Sequence, residues 1–393
     1  MKRWMVRGLL SLALCFALPV ASADTRLQLV YSTDNPMFSS MLKSLVLRHS
    51  LPIDVTYVDN DDLKVFLLQS VQTDTTPELL IMPNDLLGLP LVYKTLPAPW
   101  FQRPILKEYL PSESKTGSWG IPIVGGNQLL LYFNKRYVDQ PVEDFMRLPE
   151  QVGALPNDVD LIRWSVKEPF WFQAFFSVGN QSFFDKGVPS VNTSSMWRGL
   201  ARYQQLIDLS KADKNCDYSC AYNGFVQGKV AYTINGDWAL QEFQTALGDD
   251  LGVAELPRFD GQLLYPYFGS HVLALPGKNM LSQAAFSVIE KLMNELLSPD
   301  FQAQLWQQAK LQPVIEGVAE SIQDPHLHLI HQQLKSGSYM PEFAAMTVVW
   351  AGLSTGLSRY LAGILTEKEA SQFMQQIIEK SLREQQRDPI NAN

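Results

Sequence analysis

The chain has 393 residues, 46% of them hydrophobic, with 40 acidic against 32 basic side chains and a formal net charge of -8. That length exceeds what one hydrophobic core usually serves and favours two domains. An acidic balance with no basic block excludes a nucleic-acid binder and a protein held on an anionic membrane by charge.

The first 23 residues, MKRWMVRGLLSLALCFALPVASA, set Lys2, Arg3 and Arg7 ahead of an apolar run from Gly8 to Val20 and end on Ala21-Ser22-Ala23. This is the pattern of a secretory signal peptide cleaved after Ala23, which sends the mature chain to the periplasm. The apolar run is shorter than the ~20 residues of a spanning helix, and no second long apolar stretch follows. Leu14 stands where a lipoprotein site would want a small residue, so Cys15 leaves with the signal. Cleavage removes three positive charges and no negative ones, taking the formal charge from -8 to -11. Cys216 and Cys220 remain, in an exported chain with no third cysteine or nearby histidine to complete a metal set. A local disulfide is the expectation.

From Asp24 strands and helices alternate. LQLVY (27 to 31) reads as a strand, then a helix follows Asp34-Asn35-Pro36 with Phe38, Met41, Leu42, Leu45 and Val46 as its apolar stripe. IDVTY (53 to 57), a helix from about Asp61 and ELLIM (78 to 82) complete the series. Such alternation implies parallel pairing and a doubly wound α/β lobe, whose ligands bind outside the carboxyl ends of the strands. Two acidic loops lie there, Ser32-Thr33-Asp34-Asn35 and Pro83-Asn84-Asp85. Further on, a strand from Ile121 to Val124 meets Gly125-Gly126 before a second strand, Leu129 to Phe133. Those glycines fit either a hairpin kink or a crossing between domains. A mostly helical region (about 159 to 226), a strand ending in INGDW, strands at 252 to 256 and 271 to 275, and an amphipathic helix from 281 to 297 follow. Helices continue to about Gln386.

No GxxxxGK[ST], HExxH or GxSxG motif is present, so phosphoryl transfer, zinc proteolysis and α/β-hydrolase chemistry lose their usual support. His326, His328 and His331 read as solvated helix histidines, and neither metal nor cofactor is expected. Aromatics are more informative. VKEPFWFQAFF places Glu168 before Pro169 and then Phe170, Trp171, Phe172, Phe175 and Phe176, which cover more than one face of a helix. Trp238 sits on a turn where it is hard to cover; Gly236 would give the backbone freedom there, and Asp237 would cap the next helix. Trp350 lies in a small-residue helix. For both the Phe170 group and Trp350, plain core packing is the competing explanation. Aromatics with a few carboxylates suit a sugar, whose C–H faces stack on rings while its hydroxyls donate to Asp and Glu.

GKVAYTINGDWALQEF, GVAELPRFDGQ, KEPFWFQAFFSVGNQSFF and MPEFAAMTVVWAGLSTG together resemble the extracellular solute-binding proteins of bacterial sugar ABC transporters, closest to the maltose/maltodextrin-binding group. The likeness spans nearly the whole mature chain in the same order. It implies a two-lobed periplasmic binding fold, each lobe a mostly parallel sheet flanked by helices, with sugar held in the cleft and enclosed by hinge motion. The partners implied are a carbohydrate and an inner-membrane ABC permease, with the receptor a monomer. Chain order then gives a first lobe of 24–124 plus 274–322, a second of 129–268 plus 326–390, and hinge crossings at 125–128 and 269–273. The resemblance implies ligand contacts at Asp34, Asn35, Asp85, Glu168, Phe170, Trp238 and Trp350. The pattern departs at Asn35, where the family has a lysine, at Met82 (a tryptophan), Leu86 (an arginine), Ala351 (a tyrosine) and Ser354 (an arginine). The glutamate expected near Gly126-Asn127 is missing. Two alternatives stand beside a transport receptor: an exported carbohydrate-active enzyme using two of Asp34, Asp85 and Glu168, and a binding fold without sugar affinity that serves as a partner or sensor.

Overall fold

The structure, a computed structural model, describes residues 26–88, 91–110, 119–343 and 345–387. The expected signal peptide and its cleavage after Ala23 lie outside the described residues. Among those described, no helix is long and apolar enough to cross a membrane.

The first lobe begins as the periodicity dictates. Strand β1 (Leu27–Tyr31) leads into helix α1 (Pro36–Arg48), whose N-cap Asn35 accepts from Met37 N and Phe38 N at 3.0 Å. The buried face of α1 is Phe38, Met41, Leu42, Leu45 and Val46, the stripe read from sequence. Burying each of these contributes about 1.5–3 kcal/mol, an upper bound because unfolded chains already bury part of that area. Strand β2 (Ile53–Tyr57), helix α2 (Asn60–Gln72) and strand β3 (Leu79–Pro83) follow. β1 pairs in parallel with both β2 and β3.

Strand β4 (Gly120–Gly126) belongs to the same sheet, while β5 (Leu129–Asn134) opens the second. The second lobe adds β6 (Asp160–Arg163), α3 (Pro169–Phe176), the small hairpin β7 (Phe184–Asp185) and β8 (Val188–Pro189), α4 (Ser194–Ser210) and α5 (Tyr218–Val226). Then come β9 (Val230–Gly236), α6 (Leu240–Leu247) and β10 (Leu251–Ala254). Strand β11 (Tyr267–Ala274) returns to the first sheet, and α7 (Gln283–Leu296), α8 (Pro299–Ala309), α9 (Val318–Ser321) and α10 (Pro325–Leu334) follow it. The short strand β12 (Ser338–Tyr339) and helices α11 (Met346–Leu361) and α12 (Glu367–Arg387) end the described chain.

The first sheet runs β12-β11-β3-β1-β2 with β4 also on β11, and the second β10-β5-β9-β6. The two-lobed α/β architecture stands, but the expectation of a mostly parallel sheet in each lobe needs correction. In the second sheet β10–β5 and β5–β9 are antiparallel and only β6–β9 is parallel. The reason lies in the crossing: β5 starts at the cleft, where Leu129 faces Gly236, and β9 ends there, so the two run in opposite senses. The region 159–226, read as mostly helical, also holds β6 and the β7–β8 hairpin.

Between the sheets the chain passes through Asn127 and Gln128. Gly126 has φ +141, and a Cβ there would lie 2.6 Å from Asp237 Oδ2, so glycine is required for two reasons. Buried amides pin this crossing. Gln128 Oε1 accepts from Gln333 Nε2 at 3.0 Å, and Gln312 Oε1 accepts from Tyr109 O–H at 2.9 Å while its amide donates to Asp237. Segment 269–273 lies within β11, paired with β4 throughout and from His271 with β3 as well. Core membership changes just before it, between Tyr267 in the second-lobe core and Phe268 in the first.

Candidate functional site

A cavity of about 460 Å³ opens between the sheets. Its first-lobe wall is the loop Ser32–Asn35 after β1, its floor includes Gly125, Gly126 and Ser270, and its second-lobe wall is Tyr218, Tyr222, Trp238 and Glu242. Asp34, Asn35 and Trp238, all nominated from sequence, therefore share one space.

Trp238 sits on a 3-10 turn (Asp237–Ala239) that follows β9, with 38% of its surface exposed. Its indole N–H donates to the Tyr218 hydroxyl at 3.1 Å. The expected roles of its neighbours change. Gly236 has φ -79 and ψ 164, ordinary extended backbone, so conformational freedom is not what it supplies. The Trp238 ring lies directly over it: a Cβ at position 236 would meet three ring carbons at 2.0–2.2 Å. Asp237 does not cap the next helix. It is buried, accepts from Gln128 N at 3.3 Å and from the Gln312 amide, and its carboxyl is pushed up to about 7 by burial, against the pull of those hydrogen bonds.

From Trp238 a ribbon of rings runs both ways. Tyr222 stacks on Tyr218 at 6.0 Å, Tyr218 meets Trp171 at 6.2 Å, and Trp171 meets Trp238 at 6.1 Å. On the other side Phe170 stands between Trp238 (6.0 Å) and Trp350 (6.2 Å). These spacings suit edge and offset contacts, and the half-buried members leave faces open. Helix α5 brings Tyr218 and Tyr222 to the cleft four residues apart, hence on one face. Its first turn is fixed by the Cys216–Cys220 disulfide and by Asp217, which accepts from Cys220 N at 2.8 Å. The segment's sequence points to a local disulfide; the i, i+4 tyrosine spacing is the further signal, for a second pair of stacking rings.

The polar groups divide. Asp34 is exposed on the rim, and Tyr57, with a hydroxyl pushed up to about 12 by burial and by Asp34 and Asp59, lies beside it. Ser32 and Thr33 are 2% and 4% exposed, line the cavity, and their hydroxyls have no partner among the described residues. Asn35 spends its side chain on structure, capping α1 and donating to Ala309 O at 3.1 Å. Asp85, on the 3-10 turn Asn84–Gly88, does not line the cavity. Burial pushes its carboxyl up to about 6, against the pull of the nearby Trp350 indole. Glu168 is exposed at the start of α3, one residue from the Phe170 turn, and makes no capping bond. Met82 is fully buried, in a core with Leu63 and Leu67, and Leu86 packs on the same cluster, so neither replaces a ligand contact in kind. Among the described residues no group of three His, Cys, Asp or Glu side chains could hold a metal.

Two α/β lobes, strand ends at a shared cleft and an aromatic wall opposite a polar rim define a solute-binding protein. Residues 48–328 match the family described as bacterial extracellular solute-binding protein, and the chain belongs to that family. It is similar to the maltotriose-binding protein of Pyrococcus abyssi (strain GE5 / Orsay), 23% identical over 328 residues that cover 79% of this chain and 71% of that protein. Among solved structures it is similar to the maltose/maltodextrin-binding domain MalE from Bdellovibrio bacteriovorus bound to maltotriose. There the TM-score is 0.78 at 24% identity, over 91% of this chain and all of the other.

Proposed function

We propose that this protein is the periplasmic, substrate-binding component of an ABC importer, and that its solute is a carbohydrate, a maltodextrin or another oligosaccharide. The observation that carries the reading is the ring set Tyr218, Tyr222 and Trp238 facing Asp34 and the unpartnered hydroxyls of Ser32 and Thr33 across one cavity. Rings take the C–H faces of a pyranose, and the opposite rim takes its hydroxyls. Glu168, Phe170, Trp350 and Asp85 lie outside that cavity lining and are proposed as contacts for a longer ligand, and Asn35 holds the rim loop to α1. The lobes are 24–124 plus 274–322 and 129–268 plus 326–390, moving about the crossings at 125–128 and 269–273. The mature chain, cleaved after Ala23, is a monomer that presents its closed form to an inner-membrane permease.

It binds without turnover. The three carboxylates nominated for hydrolysis do not share the cavity, since only Asp34 lines it, and its relatives are solute-binding proteins. Titration with mono- and oligosaccharides, maltose and maltotriose among them, followed by Trp fluorescence and calorimetry, tests both points. One-to-one saturable binding with no release of reducing ends is expected. Silence across the whole panel would overturn the receptor reading, and sustained release of reducing ends would make the protein an enzyme.

A further inference from the structure

The second lobe holds another pocket, of about 560 Å³, that shares no lining residue with the cleft cavity. It lies where the end of α3 (Phe176), the first turns of α4 (Ser195, Arg198, Arg202) and the loop after β10 (Arg258, Gln262) meet. Arg198 and Arg202 are four residues apart on α4 and so share a face, where like charges repel. Arg202 is held below the usual guanidinium range by burial and by the charge of Arg198.

None of the three arginines has an ion-pair partner among the described residues, although acidic side chains outnumber basic ones in the chain. By contrast Arg26, Arg136, Arg147 and Arg163 each meet a carboxylate. The pocket arginines donate to neutral acceptors over long distances: Arg198 to Ser195 Oγ at 3.2 Å, Arg202 to Phe175 O at 3.4 Å and Gln262 Oε1 at 3.5 Å, and Arg258 to Gly261 O at 3.2 Å. Asp144 does not neutralise them; its carboxylate accepts from Asp260 N and Gly261 N. Three guanidinium groups thus keep most of their donors free of protein acceptors, and two of them, Arg198 and Arg202, repel each other.

We propose that this pocket binds a phosphate group, held by Arg198, Arg202 and Arg258, with Val178 and Leu263 as an apolar wall for the organic part of an ester. A dianion with several acceptor oxygens matches three planar forks better than a single carboxylate does. Such a site needs nothing from the sugar cleft, so its success or failure is separate from the transport reading.

Calorimetry and thermal melts of the full mature chain with inorganic phosphate, glycerol 3-phosphate and, at matched ionic strength, chloride test the proposal. Saturable binding of phosphate or its ester is expected, with a melting temperature that rises with ligand concentration and no such rise in chloride. Tighter binding of glycerol 3-phosphate identifies an ester site, and equal binding identifies a free-ion site. The double variant Arg198→Gln/Arg202→Gln should lose phosphate affinity at least tenfold, melt no lower without ligand because the repulsion is gone, and keep the sugar-induced fluorescence change. Should that variant fail to fold, Arg258→Gln, on an exposed loop residue, carries the same affinity test. Equal stabilisation by chloride, unchanged affinity in the variants, or binding of a glutamate-rich peptide without any phosphate response would each overturn it.

Discussion

Gly236→Ala isolates the Trp238 ring without touching it. The backbone at 236 is extended, with φ -79, so alanine is conformationally acceptable there and should reduce unfolded-state entropy by about 0.4–1 kcal/mol in favour of the fold. The new methyl would sit 2.0 Å from the nearest ring carbon. Restoring an ordinary carbon–carbon contact near 3.4 Å requires the ring to move by roughly 1.4 Å. That shift breaks the 3.1 Å bond from the indole to Tyr218, a loss of about 0.5–1.5 kcal/mol that largely offsets the backbone gain. With 38% of its surface free, the ring can swing into the cavity instead of straining the core.

The variant should therefore melt within a few degrees of the parent yet bind sugar about 1–3 kcal/mol more weakly, since both stacking and the space for the ligand are lost. Calorimetry with the best ligand of the sugar panel measures the affinity, and a thermal melt measures the fold. Parent-like affinity in a parent-like fold would refute the stacking role of Trp238. A collapse in melting temperature would make the ring a core element.

Trp238→Ala should weaken sugar binding by about 1–3 kcal/mol with the fold intact, and early melting with normal binding would count against the site. Asp237 holds its proton up to about pH 7 in the folded state against an ordinary 3.8, so its contribution to stability is complete below 3.8 and is lost as pH rises through about 7. Asp85 and Glu342, raised to about 6 and about 7, act with the same sign, while His271 and His331, lowered to about 4 by burial, oppose them below 6.5, so Asp237→Asn should make the slope of stability against pH less negative between 6.5 and 7; an unchanged slope would sink the assignment. Replacing Cys216 and Cys220 together by serine should cost about 2 kcal/mol, as expected for so short a loop, and loosen Tyr218 and Tyr222. Urea unfolding measures the first effect and sugar affinity the second, with no change in either speaking against a structural disulfide.

The first lobe was legible because its periodicity changes from two to 3.6 at Asn35-Pro36 and back at Ile53, and each change coincides with a cap or strand start. Less was legible where partners are remote in sequence. Gly125 and Gly126 looked like a break after a short strand, yet β4 continues through them because β11, far along the chain, supplies Gly269 and Ser270 as ladder partners. The sense of β5 was equally hidden, since it depends on which end of β9 meets the cleft. At the site, Trp238 stood out as a large apolar side chain on a turn. Tyr218 and Tyr222 did not, because the cysteines around them offered a sufficient reason for the segment. The second arm of the cleft thus depends on a helix whose sequence reads first as a staple.

On the proposed function the two lobes supply different chemistry, and this couples binding to closure. The second lobe carries almost all the ring surface, from Tyr222 through Trp238 and Phe170 to Trp350. The first carries the hydroxyls of Ser32 and Thr33 and the carboxylate of Asp34. An open cleft would leave a sugar stacked on rings but short of hydrogen-bond partners, and only the closed form satisfies both its faces and its rim. The differential affinity that drives closure then resides in the first-lobe polar groups, because the rings bind equally in either state. Loss of Asp34 should accordingly shift the balance toward the open form, whereas loss of a ring weakens both forms alike.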